Sequence, residues 1–132
     1  MKTKLVSVVF AMVFAVAGVF AVMPASSAHA SGYAYLCGNS YWQNWVSSGY
    51  VYTYRYSNSN QFCSVAINPW WGQVRYPTLW VAAPGQPTRY DVGVRYYGGP
   101  LYYTLSTGQC ATVTGQVNGA SNVVVSVCNP GY

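Results

Sequence analysis

Residues 109–128 read "QCATVTGQVNGASNVVVSVC", and their pattern decides the fold class. Val, Thr and Ala alternate on both sides of Asn118-Gly119-Ala120, the period-2 signature of a hairpin with one buried face. A three-residue loop at Asn118-Gly119-Ala120 sets Val113 opposite Val125, Ala111 opposite Val127 and Thr112 opposite Ser126. The same register sets Cys110 opposite Cys128, on the face away from the apolar row. A two-residue turn would mix the faces. Pairing Cys110 with Cys128 leaves Cys37 with Cys63, whose loop closure contributes about 3 kcal/mol.

Outward from this hairpin the chain keeps the same character. Val, Tyr, Thr and Trp, the residues that suit a pleated surface, dominate it. Gly, Pro, Asn and Ser clusters interrupt it at "VSSGY", "YSNSNQ", "INPWWGQ", "AAPGQPT", "YYGGPL" and "STGQ". No stretch holds a helical period. Short strands at this spacing predict an all-β fold: a small antiparallel, Ig-like β-sandwich or barrel of about six to eight short strands, stapled by two disulfides.

The first thirty residues read differently. Lys2 and Lys4 precede an apolar run over 5–23, and Pro24 and small residues lead to Ala28-His29-Ala30. This is the pattern of a secretory signal cleaved after Ala30. The expected products are a signal peptide over 1–30 and an extracellular domain over 31–132 of 132 − 30 = 102 residues.

Export removes both lysines and the only histidine. Arg55, Arg75, Arg89 and Arg95 then face a single acid, Asp91, for a net charge of 4 − 1 = +3. General acid–base and nucleophilic catalysis need a positioned His or carboxylate, and a glycosidase needs two carboxylates. The composition therefore predicts a protein that is not an enzyme and takes no cofactor. Four widely spaced cysteines without a histidine make no zinc site. Four scattered arginines make no nucleic-acid surface, and no basic amphipathic helix suggests membrane binding. A monomer is expected.

All four arginines precede a tyrosine: Arg55-Tyr56, Arg75-Tyr76, Arg89-Tyr90 and Arg95-Tyr96. For most of them an exposed strand position, with the stem covering a neighbouring ring, is sufficient explanation. Arg55 differs in its spacing. In "YTYRYSNSNQFC" it stands eight positions before Cys63, and Pro84 of "VAAPGQPT" follows that cysteine by twenty-one. These motifs resemble the tendamistat-like family of bacterial proteinaceous α-amylase inhibitors.

The resemblance implies an antiparallel sandwich with two disulfides, in which an aromatic-Arg-Tyr segment at a hairpin tip plugs the amylase cleft non-covalently. Tyr54, Arg55 and Tyr56 match that segment. The guanidinium would meet the catalytic carboxylates and the tyrosines would occupy sugar positions. The sequence departs from the family in three ways, the first being Tyr54 where the family segment usually opens with Trp. The stretch from Cys37 to Tyr54 is longer, so that "VSSGY" can form the tip with Trp45 projecting, and Leu79 stands near the place of a family cysteine.

The alternative is a carbohydrate-binding module-like sandwich that presents exposed Trp and Tyr, with Trp70 and Trp71 of "NPWWG" and also Trp42 and Trp45 as candidates. Adjacent Trp70 and Trp71 cannot both face inward on a regular strand. The aromatics fall in turns and sheet faces without a repeated platform pattern, and on that ground no retention on starch, cellulose or chitin is expected. A third reading, an envelope-associated antimicrobial protein, rests only on export and the positive charge.

Overall fold

A computed structural model describes residues 31–131. The signal sequence expected over 1–30 lies outside the described residues. A short 3-10 helix, Ser31–Cys37, precedes eight strands: β1 (Trp42–Ser48), β2 (Val51–Tyr56), β3 (Gln61–Ile67), β4 (Thr78–Ala82), β5 (Arg89–Val92), β6 (Tyr97–Thr104), β7 (Cys110–Gln116) and β8 (Val123–Cys128). They form two antiparallel four-stranded sheets, ordered β1-β2-β3-β6 and β5-β4-β7-β8. The protein is an all-β sandwich with both expected disulfides, Cys37–Cys63 and Cys110–Cys128.

The β7–β8 register is the one that the alternation demands, with Cys110 opposite Cys128, Ala111 opposite Val127 and Val113 opposite Val125. Ala111, Val113, Val125 and Val127 are buried, while Thr112, Ser126 and both cysteines are exposed. The loop is longer than expected, because the ladder ends at Gly115 and Val123. The Tyr50 ring fills the gap, its hydroxyl donating to Gly115 O (3.0 Å) and Ser121 O (2.8 Å). The space where Gly115 would carry a Cβ is taken by Val51 and Tyr50.

Between the sheets, Val51, Phe62, Ala66, Tyr103 and Leu105 meet Leu79, Val81, Ala111, Val113, Val125 and Val127. Thr53 and Ser64 also point into this core, and their burial is tolerated because their hydroxyls are partnered. Thr53 Oγ1 lies 2.8 Å from Ser64 Oγ, which lies 2.7 Å from the Tyr103 hydroxyl. The outer face of the first sheet carries Tyr52, Tyr54 and Tyr56 on β2, too much apolar area to leave wet. The 3-10 helix covers it, tied down by Cys37–Cys63, and a second cluster forms from Cys37, Trp42, Tyr54, Cys63, Val65 and Ile67.

Burial pushes the Tyr103 hydroxyl up to about 12, partly offset by its bonds to Ser64 and Thr53. Burial also raises Tyr54, with the neighbouring Tyr52 adding to the effect. A tyrosine held neutral in the folded state contributes stability that is complete below its unfolded value near 10 and is lost as pH climbs towards the folded value. The unfolding free energy read from urea titrations should therefore fall between about pH 10 and pH 12, by up to about 1.4 kcal/mol per pH unit from Tyr103 alone. A flat profile from pH 10 to 11 contradicts the placement of Tyr103.

Three side chains of the β4–β5 connection and β5 lie along the outer edge of β6. Gln86 donates to Thr104 O (2.7 Å) and accepts from Thr104 N (3.3 Å). Arg89 donates to Tyr102 O, and Asp91 accepts from Gly99 N at 2.8 Å. Gln86 is placed there by the turn at 83–86, where Pro84 and Gly85 (φ 71°) occupy the positions that suit a type II turn.

Candidate functional site

The segment that matches the inhibitor family is the C-terminal half of β2 and is largely enclosed. Residues 51, 53 and 55 face the core, and 52, 54 and 56 face the 3-10 helix, so both faces of this strand are covered. Tyr54 is 0% exposed and Arg55 6%. Tyr56 is half-buried, its ring 5.2 Å from Trp42 and 5.9 Å from Tyr41. No projecting aromatic-Arg-Tyr plug exists in this geometry.

Arg55 instead closes one end of the sandwich. Its Nε donates to Ser59 O (2.7 Å), and its terminal nitrogens donate to Gly131 O (3.1 Å) and Asn129 Oδ1 (3.2 Å). The guanidinium carbon lies 4.9 Å from the Trp45 ring centroid and 5.6 Å from that of Phe62. Buried Asn129 extends the network by donating to Leu105 O (2.6 Å) and Asn60 Oδ1 (2.9 Å). The β2–β3 turn, the end of β6 and the C-terminal segment are thereby joined through one cation.

The β1–β2 turn does fall at Gly49-Tyr50, within "VSSGY", with Ser48 opposite Val51. It is not a free tip, because Tyr50 is packed against β7. Trp45, 38% exposed, lies within β1 and not at this turn. A bulge between Asn44 and Val46 turns the indole across the sandwich, where Nε1 donates to Cys128 O at 3.1 Å.

The "NPWWG" stretch behaves differently. Loop 68–77 is laced to loop 93–96 around Asn68, a buried amide. Asn68 Nδ2 donates to Gln73 O (2.8 Å) and Arg95 O (2.7 Å), and Oδ1 accepts from Trp70 N (2.9 Å). Backbone bonds from Asn68 N to Tyr96 O, and from Arg75 N and Tyr76 N to Val94 O, complete the seam. Gln73 N closes a turn onto Trp70 O, with Trp71 at its corner and Gly72 (φ 94°) following. A residue at that corner has nowhere to go but outward.

Trp71 is accordingly 56% exposed, yet it is not loose. Its Nε1 donates to Tyr96 O at 3.2 Å, and its ring meets the Tyr96 ring edge-on at 4.8 Å. Trp70 lies flatter, under the Arg75 guanidinium at 4.4 Å. Gln73 Oε1 holds Arg75 at 2.9 and 3.2 Å, and Arg75 donates onward to Asn118 O at 3.2 Å. Arg95 donates to Gly72 O at 3.2 Å, beside Trp71. Exposed Val74, Tyr76, Val94 and Tyr96 belong to the same two loops.

The dipeptide pattern has a common structural sense, since each of the four arginines donates to a main-chain carbonyl. In a domain with one acid, peptide oxygens take the place that carboxylates fill elsewhere. Strand alternation sends the following tyrosine to the other side on β2 and β5.

A second aromatic surface crosses the outer face of the β5-β4-β7-β8 sheet. The register aligns Tyr90, Trp80, Thr114 and Val124 in one row. Tyr90 is 64% and Val124 65% exposed, and the Trp80 and Tyr90 rings are 6.1 Å apart.

Of the residues singled out in the sequence, Trp71 is presented to solvent on a fixed loop, Trp70 beside it supports Arg75, and Trp42, Tyr54 and Arg55 hold the fold together. Tyr76, Tyr96, Arg95 and Asn68 were not legible as site residues, because their association joins two loops well separated in the chain. These features define a disulfide-stapled β-sandwich that displays a rigid aromatic and cationic loop cluster. In comparisons with known proteins, no family model matches the chain, and no curated protein or solved structure matches it.

Proposed function

We propose that the protein is an exported, non-catalytic module of carbohydrate-binding type, with Trp71 as its principal contact and Tyr96 and Tyr76 beside it. The carrying observation is the pinned, exposed Trp71 indole. Sugar rings present apolar C–H faces that stack on aromatic rings, and a ring already fixed in place loses little conformational freedom on binding. The Trp71–Tyr96 contact and the Asn68 seam supply that fixity. Export rests on the leader pattern, and the disulfides are compatible with it.

Retention on insoluble and soluble polysaccharides tests this. The module-like reading reverses the expectation drawn from the aromatic pattern alone, because the turn that carries Trp71 is pinned by Asn68 and the indole by Tyr96. Trp71→Ala should weaken binding roughly thirtyfold, the loss of one central aromatic anchor. Tyr90→Ala, on the other face, should leave it unchanged. Absence of binding to every glycan at millimolar concentration, or full retention by Trp71→Ala, sinks the proposal. An α-amylase assay belongs in the same series: the inhibitor reading needs Tyr54 and Arg55 at the surface, and an unchanged rate is expected.

A further inference from the structure

We infer that the glycan bound at this cluster is anionic, a polysaccharide whose rings carry carboxylates, held by Arg95 and Arg75 while Trp71 stacks on a ring face. The inference rests on the carbohydrate-binding reading and names the ligand class for it. Loops 68–77 and 93–96 hold two arginines and no acid, and the one carboxylate among the described residues, Asp91, is engaged by Gly99 N.

Both cations are anchored without being neutralised. Arg75 bonds to Gln73 Oε1 and Asn118 O, and Arg95 to Gly72 O, all uncharged acceptors. A guanidinium has five N–H donors, so each retains donors and its whole charge for a ligand. The fork is suited to carboxylate oxygens taken in pairs. The other two arginines are differently disposed, Arg55 inside the sandwich end and Arg89 on the β6 edge.

An independent sign comes from the backbone. Tyr76, between Arg75 and Pro77, has φ 50° and an exposed side chain. A bulky residue in the left-handed region costs on the order of 1–3 kcal/mol, and such strain is concentrated at binding sites. Here it sets an aromatic ring next to Arg75, on the loop that carries Trp71.

The test uses the full secreted chain in affinity electrophoresis and calorimetry against oligogalacturonate, a neutral galactan oligomer of equal length, and dextran sulfate. Oligogalacturonate should bind at least about tenfold tighter than the neutral oligomer in dilute buffer, and the margin should shrink as salt rises to about 0.2 M. Arg95→Gln should remove most of that margin, and Arg95→Lys should restore only part of it. Trp71→Ala should lose both ligands.

Equal affinity for the charged and neutral oligomers overturns this inference and leaves the carbohydrate-binding reading standing. Binding of no glycan overturns both. If dextran sulfate binds as well as oligogalacturonate and Trp71→Ala affects neither, charge alone is responsible and the carboxylate assignment is overturned.

Discussion

Arg55→Ala should melt the sandwich on the order of 15 °C or more below the unaltered protein. The substitution strips a charged donor from Ser59 O, Gly131 O and Asn129 Oδ1. Hydrogen bonds to a charged group contribute about 1.5–3 kcal/mol each, and an oxygen left buried and unpaired costs a comparable amount. Removing the side chain also opens a void beside Trp45 and Phe62. Allowing for relaxation and water entry, a loss of about 4 kcal/mol is expected, and in a domain of this size each kcal/mol moves the midpoint by about 4–8 °C. Arg55→Lys should recover less than half, since an ammonium cannot serve three acceptors set around a planar fork. Calorimetry at neutral pH reads both. A variant that melts with the unaltered protein, but has lost inhibition of an α-amylase, would return Arg55 to the role suggested by the family resemblance.

Asn68→Ala carries the second large effect, and it falls on stability and binding together. The amide is buried and serves Gln73 O, Arg95 O and Trp70 N at once. Its loss takes this partner from Trp70 N and Gln73 O and leaves Arg95 O with the longer bond from Gly72 N (3.4 Å), and about 3 kcal/mol of stability should go with it. Glycan binding should fall as far as in Trp71→Ala, although Asn68 touches no ligand, because the turn that aims the indole is tied to this side chain. Asn68→Asp is the informative companion. It keeps the shape and the acceptor for Trp70 N but replaces a donor facing two carbonyls with a negative oxygen, so it should be no more stable than the alanine variant. Wild-type binding by a well-folded Asn68→Ala contradicts the view that the Asn68 seam fixes the platform.

The parts of this structure legible in sequence are those in which neighbours along the chain settle the outcome. The "QCATVTGQVNGASNVVVSVC" hairpin declared its register and its disulfide, since alternation and one turn were sufficient. The exposure of one of Trp70 and Trp71 followed from adjacency alone. The interior position of Arg55 did not follow, because a strand covered on both faces loses the contrast between inward and outward positions. That covering comes from "SGYAYLC", a single short 3-10 helix with too few residues to show a period, held in place by a cysteine far along the chain. The site suffered the same limitation. Trp71 could be suspected, but Tyr96 meets it across two loops that are laced together at Asn68, which reads locally as an ordinary Asn-Pro turn.

The row of Gln86, Arg89 and Asp91 along β6 has a consequence for self-association of the protein. A bare strand edge offers unpaired N–H and C=O groups on which another copy can stack, and most sandwiches repel such a copy with charge. With charged residues only 5% of its sequence, this chain has little repulsion to use. It occupies part of that edge instead, engaging Gly99 N, Tyr102 O and both backbone groups of Thr104 with its own side chains. Such protection does not depend on ionic strength in the way that charge repulsion does. The β4–β5 hairpin thus shields part of the β6 edge with its own surface side chains.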